Sequence, residues 1–432
     1  MRSAELRITE TGGRDATTRH IPPKLALAVG MPRTPAPVGW RWTRLTEIAR
    51  LESGHTPSRK HPEYWGGQVP WIGIQDARRN NGKRIQETHE TTNDIGIANS
   101  SARVLPANTV CLTRTASVGY VLVMGRPMAT SQDFLNWVCS SELDPDFLKY
   151  LFIAEGKEIL RFASGSVHQT IYFPEAKAFH ISHPLLPEQQ RIVAILDEAF
   201  DGIAAARANA EQNLRNARAL FESHLQAVFS QRGEGWEERR LGDVVSRLTN
   251  GYVGPTRNIY QDSGIPYLLA RHVKNNRLFF DGKTFITNEF NQKNKKSILK
   301  FNDVLLVQSG HIGHSAVVTK EHDGHNCHAM IVITSAEGAF IGPYLSLFFS
   351  SSGMQQKFQE IRSGSTVPHL TCGEVKELLV PLPDLATQQR VVDRSQELGT
   401  ETQRLESLYQ RKLDALDELK KSLLHQAFAG QL

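Results

Sequence analysis

The 432-residue chain is 40% hydrophobic and 22% charged, ordinary values for a soluble globular protein, and its length suits about three domains. A formal net charge of +5 permits an anionic partner such as nucleic acid without requiring one. Cys111, Cys139, Cys327 and Cys372 are dispersed with no CxxC pair, which suggests neither a zinc ribbon nor a disulfide framework and fits a reducing cytoplasm, and no apolar run approaches the roughly 20 residues of a membrane span.

Residues 1–38 carry scattered arginines and then Pro22, Pro23, Pro32, Pro35 and Pro37 with no apolar period, which predicts a poorly ordered leader, with Met31 as an alternative start. Residues 39–183 break short β-rich runs such as Thr109 to Leu112 with Gly, Pro and Asn, and predict a compact mixed domain. Residues 184–232 change texture. Ile192, Leu196, Ala199, Ile203, Ala206 and Ala210 step at helical spacing, and after a stutter Leu214, Ala217, Phe221, Leu225 and Val228 continue the stripe. Residues 233–380 are again mixed, with strands expected at Val304 to Val307 and Ala329 to Thr334. Residues 381–432 predict a second long helix with Val391, Leu398, Leu405, Leu416, Leu419 and Leu423 on one seam.

One such stripe would fit an ordinary core-facing helix. Two matched helices, each about 65 Å long at ~1.5 Å per residue, exceed one compact domain and favour a coiled coil. The halves are copies with a period of roughly 200 residues. WRWTRL (Trp40 to Leu45) matches WEERRL (Trp236 to Leu241), and Val69-Pro70-Trp71 matches Ile265-Pro266-Tyr267. Further on, Ser164-Gly165-Ser166 matches Ser363-Gly364-Ser365, and Gln189-Gln190-Arg191 matches Gln388-Gln389-Arg390. The expected fold class is therefore α+β: two mixed α/β domains joined by a long antiparallel two-helix coiled coil, related by a pseudo-twofold internal repeat.

The motifs in that frame carry a resemblance. SGHTPS (Ser53 to Ser58), YWGG (Tyr64 to Gly67), VPWI (Val69 to Ile72), the SGS elements, and PLLPEQQRI (Pro184 to Ile192) leading into a long helix occur in order; PLPDLATQQRVV (Pro381 to Val392) repeats the last. From Trp40 to Leu432 the chain resembles the specificity subunits of type I restriction-modification systems. The second copy departs at its opening, with NGYVGP (Asn250 to Pro255) for SGHTPS and no YWGG. The resemblance implies two target recognition domains, each reading half of a split site on double-stranded DNA, with the helices fixing the unread spacer. It also implies assembly with two methyltransferase (M) subunits and with restriction/translocase (R) subunits. No cofactor is expected on this chain, S-adenosylmethionine, ATP and Mg belonging to those partners.

Candidate DNA-contacting residues follow the paired Val-Pro-Trp and Ile-Pro-Tyr elements. They are Gln75, Arg78, Arg79, Lys83 and Arg84 in QDARRNNGKR, and Arg271, Lys274, Asn275 and Arg277 in ARHVKNNR. Arg and Lys pair with guanine or phosphate, and Asn and Gln with adenine, although a basic loop of this kind is equally consistent with plain solvation. Arg114 and Gln308 end corresponding strands before the small-residue loops TASVG and SGHIG. The lysine-rich stretch Asn291 to Lys300 suits phosphate contact or solubility.

No catalytic residue and no metal site is expected. HIGH (His311 to His314) and KNKKS (Lys293 to Ser297) imitate synthetase signatures in the wrong order, and the cluster of His311, His314, His322, His325 and His328 with Cys327 has no counterpart in the first copy. Walker A, dinucleotide-binding and adenine-methylation motifs are absent from the sequence. The competing readings are a self-sufficient methyltransferase or nuclease, and a coiled-coil scaffold without DNA specificity.

Overall fold

The computed structural model describes residues 26–27, 36–165, 169–231, 233–274, 276–362 and 368–432. Most of the expected leader, Asn275 and the second SGS element lie outside these residues. The chain divides into two compact units, one running to Ala208 and including Leu413–Leu432, the other Asn209–Lys412.

In the first unit, the central sheet takes the order Ala49–Ser53, Phe134–Cys139, Val110–Thr113, Val121–Met124, Arg84–Ile85. Its middle strands are apolar without alternation because both faces are covered. Val110, Leu112, Val121, Val123, Leu135 and Trp137 face one core with the helix Pro145–Glu155, whereas Cys111, Leu122, Met124 and Phe134 face a second with Ile72 and Ala77. Asp144 starts that helix by accepting hydrogen bonds from the amides of Asp146 and Phe147, and Pro145 occupies the first turn, where its missing N–H costs nothing. A small sheet of Glu90–Thr92, Trp65–Ile72 and Ala129–Thr130 carries the segment that leads to the basic stretch.

The second unit repeats this plan. Its sheet runs Val245–Asn250, Met330–Ser335, Val304–Val307, Ser315–Val317, with Val304 and Leu306 on the face toward the helix Gly342–Ser350 and Leu305 and Val307 on the other. Ile265–Leu268 lies between Phe285–Ile286 and Asn326–Cys327, as its counterpart does. Glycines at equivalent places permit close backbone approach. A Cβ on Gly54 would sit 2.1 Å from Ser131 O, and one on Gly251 would sit 2.5 Å from Cys327 O. The copies differ at one sheet edge. Within the stretch read as a poorly ordered leader, Ala26–Leu27 pairs in parallel with His180–Ile181; the matching strand Leu379–Leu382 contains Pro381 where the first copy has Ser182, which removes a backbone donor.

The two long helices are Leu186–Ser230 and Leu385–Phe428. Asp384 opens the second by accepting from the Thr387 amide at 2.8 Å and from its hydroxyl at 2.9 Å. Within each unit the helices run antiparallel. In the first, Arg191 donates to Leu432 O and Arg207 pairs with Asp417; in the second, Arg218 pairs with Glu406 and His224 meets Ser395 at 3.1 Å. The stripe expected on the first helix is buried or half-buried throughout. On the second, Val391, Leu398, Leu405, Leu416 and Leu423 of the expected seam are half-buried, Leu419 is 47% exposed, and the fully buried positions include Val392, Ser395, Thr402, Leu413 and Leu424 beside that seam. Small residues enter the seam because Phe221 packs over Gly399, where an added Cβ would lie 3.3 Å from its ring.

Candidate nucleic-acid interface

In the first mixed domain, the indole of Trp71 is buried and donates to His55 O at 3.1 Å, which fixes the strand end from which the basic stretch departs. The helix Ile74–Arg79 follows at once. Asp76 is buried; its carboxylate accepts from the Gly73 amide at 3.0 Å and the His89 amide at 2.8 Å, so the helix start is held from both sides. With Asp76 and Ala77 turned inward, Gln75, Arg78 and Arg79 are exposed. Asn81 accepts from the Val121 amide and Gly82 takes φ +80°, which turns the chain and leaves Lys83 exposed. No hydrogen bond or ion pair is recorded among the described residues for the side chains of Arg78, Arg79 and Lys83. Three cations are thus free for phosphate or base edges.

Arg84 has a different job. Its guanidinium pairs with Asp146 at 2.6 Å and donates to Asn108, tying its strand to the helix Pro145–Glu155. Burial by itself would raise the Asp146 carboxyl, but Lys149 and Arg84 outweigh it and hold that carboxyl below the usual carboxylate range. Arg114 is committed in the same way, donating to Gln132 O at 3.0 Å and Ile171 O at 3.3 Å with its guanidinium 5.3 Å from the Phe173 ring centre. The amide oxygen of Gln308 is buried and without a partner among the described residues.

The equivalent segment of the second domain has another shape. Ala270–His272 makes a 3-10 turn, and Val273–Lys274 pairs with Arg277–Leu278 in a hairpin. His272 stands where Asp76 stands in the first copy and accepts from the Leu269 amide at 3.1 Å, the same cap made by an imidazole. Burial and the neighbouring Arg271 push His272 below its ordinary value of 6.5, which keeps the ring nitrogen available as an acceptor. The hairpin is anchored by Asn276, at φ +59°, whose amide donates to Ser346 O and to the hydroxyls of Ser346 and Ser350. Lys274 and Arg277 are exposed across from each other, and Arg271 reaches Asp281 at 3.3 Å. Phe279, 54% exposed beside Arg277, adds an aromatic face that the charge pattern did not point to; its signal was the doublet Phe279-Phe280, in which only Phe280 packs inward against His272 and Phe285. Lys293, Lys295, Lys296 and Lys300 are exposed.

The family model described as the type I restriction modification DNA specificity domain matches residues 37–213 and again 233–412. The chain belongs to the type I DNA specificity family. Among curated relatives, it is 28% identical over 254 residues to the type I restriction enzyme MjaIX specificity subunit of Methanocaldococcus jannaschii, covering 55% of this chain and 59% of that one. It is 29% identical over 167 residues to the EcoR124I/EcoR124II specificity subunit of Escherichia coli, covering 37% and 40%. The chain thus spans about half the length of the curated relatives it matches. The fold is shared with a chain solved in work on assembly and conformational transition of the type I R-M system, with a TM-score of 0.73 and 19% identity over 92% of this chain and all of that one. It is shared also with the HsdS subunit from Thermoanaerobacter tengcongensis, with a TM-score of 0.61 and 18% identity over 92% and 99%.

In that family frame the synthetase-like HIGH segment is a loop in which the His311 and His314 rings stack 5.3 Å apart. Among the described residues no group of three or more His, Cys, Asp or Glu is arranged to hold a metal, and no helix is long and apolar enough to cross a membrane.

Proposed function

We propose that this chain is the DNA-reading subunit of a type I restriction-modification system, recognising a bipartite target and directing partner subunits to it. The observation that carries the reading is the duplication itself: two domains on one frame, each presenting an exposed basic segment of different shape directly after the same buried strand. Two different displays on one frame suit two different half-sites. Of the sequence candidates, Gln75, Arg78, Arg79, Lys83, Lys274 and Arg277 are assigned to DNA, with Arg271 beside them; Asn275 is kept as a candidate from sequence alone. Arg84 and Arg114 are assigned to holding the first domain's frame. The chemistry belongs to two methyltransferase subunits and to restriction/translocase subunits, which bring S-adenosylmethionine, ATP and Mg, and the complex works in the cytoplasm. The continuous helices of 45 and 44 residues support a role in setting the unread spacer.

The test is single-molecule sequencing of methylated adenines in DNA from cells carrying the chain with its methyltransferase. One bipartite motif is expected; absence of any motif, or methylation by the purified chain alone with S-adenosylmethionine, overturns the reading.

A further inference from the structure

Each Gln-Gln-Arg motif places its first glutamine in the opening turn of a long helix, and both glutamines are fully buried. A buried carboxamide must satisfy two N–H donors and a carbonyl oxygen. Gln189 does so by donating to Glu142 O at 2.9 Å and Pro184 O at 3.0 Å and accepting from the Asp144 amide at 2.9 Å. Gln388 donates to Ala339 O at 3.1 Å and Pro383 O at 2.9 Å and accepts from the Ile341 amide at 3.1 Å.

These three hydrogen bonds correspond in the two copies, and Gln189 Nε2 additionally approaches His183 Nδ1 at 3.4 Å. In both copies one donor goes to the proline linker ahead of the long helix, while the other donor and the acceptor go to the loop that starts the recognition domain's own helix. That loop ends at the N-cap residue, Asp144 for Pro145–Glu155 and Ile341 for Gly342–Ser350. The covalent link between recognition domain and long helix is a short extended segment, His183-Pro184-Leu185 or Leu382-Pro383-Asp384. Such a link fixes position but leaves rocking about its backbone torsions open. The carboxamide is a second tie across the same joint, and only glutamine fits it. Glutamate would set a carboxylate against two carbonyl oxygens, and asparagine is one methylene too short to reach both sides.

We propose that Gln189 and Gln388 are positioning residues that lock each recognition domain at a fixed angle to its long helix, and that this lock sets how strictly the spacer between half-sites is measured. The proposal rests on the DNA-reading function above. The exposed cations choose contacts within a half-site, whereas the lock decides where on the duplex the reading surface arrives.

The experiment uses the full chain with its methyltransferase and compares wild type with Gln189→Met, which keeps the buried volume and removes all three hydrogen bonds. Sites carrying the native half-sites with a spacer one base pair longer or shorter are scored for methylation. Gln189→Met is expected to raise methylation of these off-spacer sites about tenfold relative to the native spacer. Both half-site sequences should stay the same, and Gln388→Met should do likewise. Hydrogen exchange at the Asp144 amide should accelerate in Gln189→Met, and at the Ile341 amide in Gln388→Met. A lower melting temperature with unchanged spacer discrimination would make the residue merely structural and overturn the proposal. Should Gln189→Met not fold, Gln189→Asn, which is neutral and one methylene too short to hold both sides of the joint, is read the same way; failure of both to fold also overturns it. A wild type with no sequence-specific methylation would instead sink the DNA-reading function and leave the exchange result standing on its own.

Discussion

In the first recognition domain, the segment after Trp71 runs as the helix Ile74–Arg79; in the second, the segment after Tyr267 makes a 3-10 turn and then pairs Val273–Lys274 with Arg277–Leu278. Yet both leave the same kind of strand, and both are capped by a side chain at the equivalent position, Asp76 or His272. The frame is kept while the display changes. A second contrast lies in the sheet. Ladder pairing places Arg50 and Arg247 at equivalent positions, but Arg50 reaches outward to Glu52 at 3.1 Å, whereas Arg247 turns inward to the fully buried carboxylate of Asp303, where the first copy has Thr109. Burial pushes the Asp303 carboxyl up, against the pull of Thr334, the Lys300 amide and Arg247. One arginine thus serves a solvated pair in one copy and a buried network in the other, so a duplicated fold tolerates either solution provided the charge is matched.

The largest expected effect tests that contrast. Asp303→Ala removes the buried counter-charge of Arg247, whose side chain is 20% exposed, and should destabilise the second unit by about 3–5 kcal/mol in urea melts. Transplanting the first copy's arrangement, Thr249→Glu with Asp303→Thr, should recover most of the loss. If the transplant is no better than Asp303→Ala, the two solutions are not interchangeable.

Next come the shared glycines. Gly54→Ala and Gly251→Ala each drive a methyl into a backbone carbonyl and should cost about 1–3 kcal/mol apiece. Comparable losses in both units would sharpen the shared-frame view; a silent substitution in one copy would break it.

The displays should separate in DNA binding. Neutralising Arg78, Arg79 and Lys83 together is expected to flatten the slope of log K against log salt by about 0.9 per lost phosphate contact and to alter only one half-site. Lys274→Ala with Arg277→Ala should affect only the other. Arg84→Ala should instead lower the melting temperature with little change in slope, because its charge is spent on Asp146.

Acid gives the subtlest contrast. Burial holds His272, His314, His322, His325 and His328 of the second domain below the ordinary 6.5, and the first domain contributes His183 in this way. Each such group favours the neutral ring in the folded state, so its contribution is complete above about pH 6.5 and is lost as pH falls from there through the lowered folded value. Hydrogen exchange followed from pH 7 to 5 should show the second domain losing protection before the first. Simultaneous loss would contradict this ordering.

By itself, the sequence determined the duplication, the two mixed domains and the two long helices, because 3.6-residue periodicity and repeated motifs are local properties that survive without knowledge of contacts. It also located the two basic segments. Tertiary structure alone decided which cations there are free: Arg84 and Arg114 look like their neighbours in sequence, but their partners Asp146 and Ile171 lie 62 and 57 positions away. Only the fold could show that the first glutamine of each motif bridges domain and helix, since its partners Asp144 and Ile341 stand 45 and 47 positions upstream. The seam of the second helix was legible except at Leu419, and the small buried residues beside it were not. Leu419 has the right chemistry for a buried position and Ser395 does not, yet Ser395 is buried where His224 of the other helix meets its hydroxyl, because packing rewards the shape that fits.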